Sequence, residues 1–372
     1  MRPLQPKSHH SPPESHHVPE VLERFFLGFQ GTSLPDELAA LLESGLAGVA
    51  IYARNYTDLV GLRELAEAIR RAATQAVLIG IDQEGGTRFS LQPPFTAWPS
   101  PSELGRLDDI ALTEHVARAI ARELRAVGVN LDFAPMLDLA TNPKSPVTAG
   151  RSFGAEPHRV ARLGVAFLRG LAAEGVLACA KHFPGHGDAA VDPHIDLPRF
   201  DGAQDRLTQH ELVPFAAAVE ARAPLVMTAH ILLPQVDPDR PASISHRVLD
   251  GLLRRQLRFD GIILADDLGM GAIAGRYGPG ESVVMTLEAG SDVAMLCHDT
   301  TVVPEAIAAV AESLEARRFD ARQWSASGTR IARLRQQIRT AAQTPPPLDV
   351  VGCAEHRALA DEVRARLAHL AE

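Results

Sequence analysis

From Phe25 onward, short apolar runs alternate with stretches whose apolar residues recur at helical spacing. The runs are FFLGFQG, AGVAIYAR, AVLIGID, VNLDFAPMLDL, LACAKHF, PLVMTAH, GIILADD and SDVAMLC. Each is short and rich in β-branched residues, as suits a strand covered on both faces in a parallel sheet. Between them, EHVARAIARELRAVG places Val116, Ile120, Leu124 and Val127 on one stripe. PHRVARLGVAFLRGLAAEG does the same with Val160, Leu163, Phe167 and Leu171, and stops at Gly175. DELAALLESG, LRELAEAIRRAA, FAAAVEAR, RVLDGLLRRQL and PEAIAAVAESLEARR repeat the pattern. Eight strand-like runs alternating with helices, without a sharp linker, predict an α/β fold of one domain, a (β/α)8 TIM barrel. A doubly wound open sheet would carry a glycine-rich phosphate loop after an early strand. Neither GxGxxG nor GxxxxGK[ST] occurs there. The pattern places the barrel at residues 21–342, after a disordered N-terminal tail (1–20) and before a helical extension (343–372) packed on its outside.

Polar residues fall at the trailing ends of the runs. Arg54 and Asn55 follow the second; Asp82, Gln83 and Glu84 the third; Asp138 ends the fourth, with Arg151 in the loop beyond it. Lys181 and His182 end the fifth run, His230 the sixth, and Asp266 and Asp267 the seventh. In a barrel this end carries chemistry and the other carries stability. One strand ending in polar residues is ordinary. Six that do so imply a polar ligand at one mouth, because partly buried charges need partners. Carboxylates with Arg and Lys suit a hydroxyl-rich ligand such as a sugar. The loop KHFPGHGDAAVDPH, from Lys181 to His194, holds three histidines, a lysine and two aspartates among two glycines and two prolines. From residue types alone it is open between a proton-transfer device and a metal site. His182, His186, Asp192, His194 and Asp196 are zinc-compatible donors, although HExxH is absent.

Composition narrows the classes. The net charge is −9 with no Lys/Arg block, so neither nucleic acid nor an anionic membrane is an expected partner. No apolar run reaches membrane-spanning length. The three cysteines (Cys179, Cys297 and Cys353) form no CxxC, which suits a reducing cytoplasm. The N-terminal stretch lacks the apolar region of a secretory signal, and its histidines (His9, His10, His16, His17) read as a solvated tail. A monomer acting on a carbohydrate, with no cofactor and no metal, is the expectation.

KHFPGHG followed by four residues and DPH resembles the signature of bacterial β-N-acetylglucosaminidases of glycoside hydrolase family 3. IDQEGG, NLDFAPMLDL, RSFG, VMTAHI and LLRRQLRFDGIILADDLGM resemble further blocks of that family in the same order, and the length resembles its single-barrel type. The resemblance implies a retaining mechanism through a covalent glycosyl-enzyme intermediate. It implies Asp266 as nucleophile and His194 with Asp192 as the acid/base pair. Asp82, Arg88, Arg151, Lys181 and His182 are implied as sugar ligands. It further implies exo-cleavage of terminal β-linked N-acetylglucosamine, from peptidoglycan fragments. This chain departs from the family at Ala265 and at Pro193, where Ser or Thr is usual. It also has a shorter DQEGGTRF segment around Arg88. Three other readings stay open: a phosphorylase or another family β-glycosidase, a metal-dependent hydrolase, and a non-catalytic sugar-binding barrel.

Overall fold

The computed structural model describes residues 18–370 except 87, 90, 92, 190, 342 and 343. Residues 1–17, with the paired histidines, therefore lie outside the described residues, as does the side chain of Arg88. The chain is first seen in a short helix, Val18–Leu22, whose Val21 and Leu22 are buried.

Each of the eight apolar runs supplies one strand, and the strands close into a parallel barrel in chain order. They are β1 (Phe25–Leu27), β2 (Gly48–Ala50), β3 (Leu78–Ile81), β4 (Leu131–Asp132), β5 (Leu177–Phe183), β6 (Leu225–Thr228), β7 (Ile262–Asp267) and β8 (Val293–Leu296). The two helical stripes form helices Ile110–Ala126 and Pro157–Ala173 against the outside of the barrel. Alternation along the strands separates two apolar layers. Phe26, Ala50, Leu78, Leu131, Phe133, Leu225, Leu264 and Met295 fill the interior. Val49, Ile79, Val226, Ile263 and Ala294, one residue away in each case, pack outward against the helices. The interior is tight: Phe26 and Phe133 meet edge to face at 5.6 Å, and a Cβ on Gly80 would lie 2.6 Å from the Phe133 ring.

The helix Ala321–Ala341 was not expected from the periodicity. Only Ser327, Ile331 and Leu334 are buried along its 21 residues, too sparse a stripe to stand out. It acts as a floor, since Ile331 and Leu334 join the interior cluster at the N-terminal end of the barrel. Buried Asp292 fixes it there. Its carboxylate takes two bonds from Arg330 (2.7 and 3.0 Å), one from Arg254 (2.5 Å) and one from the Ile263 N–H (2.8 Å). The last helix, Ala354–His369, packs on Pro101–Leu107 and Ile110–Ala126. There buried Glu123 accepts from Thr96 (2.6 Å) and the Gly352 N–H (2.9 Å), and pairs with His356 Nδ1 (2.9 Å).

Asp292→Ala removes the anion from between two buried guanidiniums. It should lower unfolding free energy by about 3–5 kcal/mol, measured by urea titration.

Candidate active site

Strand parity delivers the first site residues. In β7, Ile262 and Leu264 point into the barrel, so Asp266, two residues on, continues that face at the mouth. In β5, Cys179 points inward and Lys181 follows; beyond β3 and β2, Asp82 and Tyr52 follow Gly80 and Ala50 in the same way. Bulges add neighbours that parity alone would send outward. The register shifts between Ala180 and Phe183 against β6, and between Leu264 and Asp267 against β8. His182 and Asp267 thereby reach the same cavity as Lys181 and Asp266. The Lys181–His182 peptide is cis. The cavity encloses about 400 Å³.

Its deep part is a chain of ion pairs. Lys181 Nζ donates to Asp82 Oδ1 (2.5 Å) and Glu84 Oε1 (2.6 Å). Arg151 grips Glu84 with two bonds, Nη2–Oε1 at 2.6 Å and Nε–Oε2 at 2.8 Å. Lys181 and Glu84 are almost fully buried, at 2 % and 1 % side-chain exposure. Burial works against both charges, and the opposite charges outweigh it. Glu84 is held far below the usual carboxylate range by Lys181 and Arg151, and Lys181 well above the usual lysine value by Asp82 and Glu84.

Buried Asp138 organises the strand that carries Lys181. Its Oδ2 meets His182 Nδ1 at 2.6 Å and its Oδ1 takes the His186 N–H at 2.6 Å. With Nδ1 so engaged, His182 presents Nε2 to the cavity. His186 also lines the cavity, but neither ring nitrogen has a hydrogen-bond partner. Burial pushes its pKa down to about 4, so it is neutral near pH 7. The turn around it depends on glycine: Gly185 sits at φ +123°, and a Cβ on Gly187 would lie 1.5 Å from the Leu139 carbonyl oxygen.

Asp266 is surrounded by groups that favour its carboxylate. Burial raises its pKa, but His182, His230, the Asp267 N–H (2.8 Å) and Lys181 together bring it below the usual value. His230 lies behind this strand, bonded to Ser243 Oγ (2.7 Å) and the Asp267 carbonyl (3.0 Å). Ala265 is fully buried and faces the helical layer, away from the cavity. Asp267 ties β7 to β8 by accepting from the Gly269 and Cys297 N–H groups (3.0 and 3.1 Å) and pairing with His298 Nδ1.

The long loop returns its second half to the mouth. Asp192 Oδ1 accepts the His194 N–H at 2.9 Å and meets His194 Nδ1 at 2.8 Å, so the pair forms across Pro193. The Pro193 carbonyl accepts the Ala272 N–H (3.0 Å), and Arg276 pairs with Asp196 (2.6 Å). The segment just after Asp266 therefore holds the loop over the cavity.

Of the eight residues singled out in the sequence, Asp82, Arg151, Lys181, His182, Asp192, His194 and Asp266 line one cavity. Arg88 stands in a short strand paired with Gln83–Gly85, and its side chain lies outside the described residues. The zinc-compatible donors do not converge: among the described residues no group of three or more His, Cys, Asp or Glu is arranged for a metal ion. Sequence reasoning placed Glu84 and Asp267 at the mouth without assigning them a role, and passed over Tyr52 and His298. The trailing-end rule covers Glu84 and also His298, which directly follows the eighth run. His186, set between two glycines, read as a shaper of the loop or, in the metal reading, as a zinc donor.

Residues 27–334 match the glycosyl hydrolase family 3 N-terminal domain. Beta-hexosaminidase A of Pseudoalteromonas piscicida is 33 % identical over 362 residues, covering 89 % of this chain and 60 % of that protein. The chain thus spans less than two thirds of that relative. A family 3 beta-N-acetylglucosaminidase from Paenibacillus sp. str. FPU-7 superposes with a TM-score of 0.89 at 35 % identity, covering 93 % of this chain and 68 % of that one. NagZ from Neisseria gonorrhoeae, solved with N-trifluoroacetyl-D-glucosamine, superposes with a TM-score of 0.76 at 30 % identity, covering 93 % and 98 %.

Glu84→Gln leaves Lys181 and Arg151 sharing a neutral amide and should cost about 3–5 kcal/mol of unfolding free energy at pH 7. Because the folded Glu84 pKa is depressed, the contribution is complete above the unfolded glutamate value of about 4.3. The gap between wild type and variant, followed by urea titration, should stay constant from pH 8 to about 6 and shrink as pH falls through about 4.

Proposed function

The chain belongs to glycosyl hydrolase family 3, and on that premise we propose that it is a retaining, exo-acting β-N-acetylglucosaminidase. The observation that carries this reading is the pairing of two chemistries in one cavity. A buried, ionised carboxylate, Asp266, shares it with an exposed imidazole backed by a carboxylate, His194 with Asp192. Glycoside cleavage needs both a carboxylate for the anomeric carbon and a proton donor for the leaving oxygen.

In this mechanism Asp82, Lys181, Arg151 and His182 hold the hydroxyls of the terminal sugar, and Arg88 is assigned to the same sugar. One Asp266 oxygen attacks the anomeric carbon while the glycosidic C–O bond breaks. His194 gives its proton to the departing oxygen, and Asp192 holds the ring in place through Nδ1. The neutral imidazole then takes a proton from water, whose oxygen attacks the anomeric carbon and releases Asp266. In this mechanism residues 192–196, tied to Arg276 through Asp196, carry His194 in and out as sugars enter and leave.

The names of the relatives support N-acetylglucosamine as the sugar cleaved. Peptidoglycan fragments as the source and the cytoplasm as the site of action are further parts of the proposal. So are the monomeric state and the division into one barrel with a C-terminal helical extension. Among the described residues no helix is long and apolar enough to cross a membrane.

Asp266→Asn should reduce kcat on 4-nitrophenyl N-acetyl-β-glucosaminide by roughly 10³-fold or more, with the fold retained by circular dichroism. Unchanged turnover would overturn the mechanism. His194→Ala should lose roughly 10²–10⁴-fold, with the loss growing as the phenol becomes a poorer leaving group. Products formed in phosphate and in phosphate-free buffer should both be free N-acetylglucosamine; a glycosyl phosphate in the former would identify a phosphorylase.

A further inference from the structure

The cavity has a dry end and a wet end. Lys181, Glu84 and Arg151 lie at the dry end, at 2 %, 1 % and 13 % side-chain exposure. His194 and His298 both line the cavity and are the open ones, at 59 % and 57 %. A sugar held at the dry end sends its leaving group past this open rim. His194 has a task there in the mechanism above, and His298 does not.

His298 is nevertheless held as carefully as His194. Its Nδ1 is bonded to buried Asp267, which is itself fixed by the Gly269 and Cys297 N–H groups. Its ring leans on Tyr52, with centroids 5.8 Å apart, and Tyr52 is covered on its own account by the Arg54 guanidinium at 4.3 Å. Arg54 is locked in turn by bonds to the Phe29 and Cys297 carbonyls (3.0 and 2.8 Å). The result is a rigid wall joining the ends of β1, β2 and β8. It offers the exposed His298 ring and its second nitrogen, Nε2, to the cavity, with the Tyr52 ring packed beside it. An aromatic face with an adjoining hydrogen-bonding group matches a pyranose ring, which has an apolar C–H face edged by hydroxyls.

We propose that Tyr52 and His298 form the subsite for the leaving group, and that this group is a second sugar hydrogen-bonded by His298 Nε2. The inference rests on the glycosidase reading above. The bond to Asp267 also raises the pKa of His298, which extends the range over which Nε2 carries a proton to donate.

The test compares two conservative variants on two substrates. H298N keeps an amide where Nδ1 meets Asp267 but loses the pocket-facing nitrogen, whereas H298Q reaches the Nε2 position. Substrates are a β-linked N-acetylglucosamine disaccharide and 4-nitrophenyl N-acetyl-β-glucosaminide, whose aryl group has no hydroxyls. For H298N, kcat/KM on the disaccharide should fall roughly tenfold or more beyond any fall on the aryl glycoside. H298Q should recover part of that difference. The dependence of kcat/KM on phenol acidity should keep its wild-type slope in both variants, which separates the subsite from proton delivery by His194. Equal losses on both substrates, H298N outperforming H298Q on the disaccharide, or a steeper slope would each overturn the subsite. A wild-type chain that cleaves neither substrate would overturn the glycosidase reading itself.

Discussion

The pair between Lys181 and Glu84 is the interaction on which the mouth of this barrel depends. Two fully buried charges stand directly above an interior of Phe26, Phe133, Met227 and Met295, where an unpaired ion would be very costly. Each charge is viable only because the other is 2.6 Å away, with Asp82 and Arg151 completing the chain. That chain links the end of β3, the end of β5 and the loop after β4. Any sugar recognised here meets groups whose positions are set before it arrives, which is the arrangement that spends least binding energy on ordering.

Around this fixed floor the two imidazole–carboxylate pairs differ in mounting. Asp267 and His298 belong to strand ends and are braced by backbone N–H groups and by Tyr52. Asp192 and His194 belong to a loop that leaves the barrel at Gly185, and the segment carrying them is tied to the chain after Asp266 by the Pro193 carbonyl and by the exposed ion pair of Asp196 with Arg276. A strand-mounted pair suits recognition of a group that must be held. A loop-mounted pair suits a proton carrier that must approach and withdraw. In the proposed mechanism the same chemical unit takes two tasks, one for each kind of support.

Much of this was legible in the chain because the barrel repeats one local rule eight times. Apolar runs bounded by polar trailing residues gave every strand, and the trailing residues gave the deep polar part of the cavity: Asp82, Glu84, Lys181, His182, Asp266 and Asp267. The misses share a cause. The floor helix Ala321–Ala341 buries three residues of 21, so its role rests on where it docks rather than on its pattern. Glu84 was one of three polar residues after β3, and periodicity cannot say which of them turns inward. His186 looked like a loop residue because its burial is produced by distant segments, including Leu139 against Gly187.

The sequence by itself determined the barrel and the end of it where polar side chains gather, since these follow from side-chain period and residue type; the steps proposed for Asp266, Asp192 and His194 came from the family resemblance. Tertiary structure decided which charges neutralise one another and which side chains remain exposed to a ligand. Those outcomes depend on distances between strand ends far apart in the chain: 99 residues separate Asp82 from Lys181, and 31 separate Asp267 from His298. A carboxylate can stabilise a structure, position a histidine or attack a sugar. Its neighbours in space settle which, because burial and nearby charge fix whether it is ionised and already satisfied.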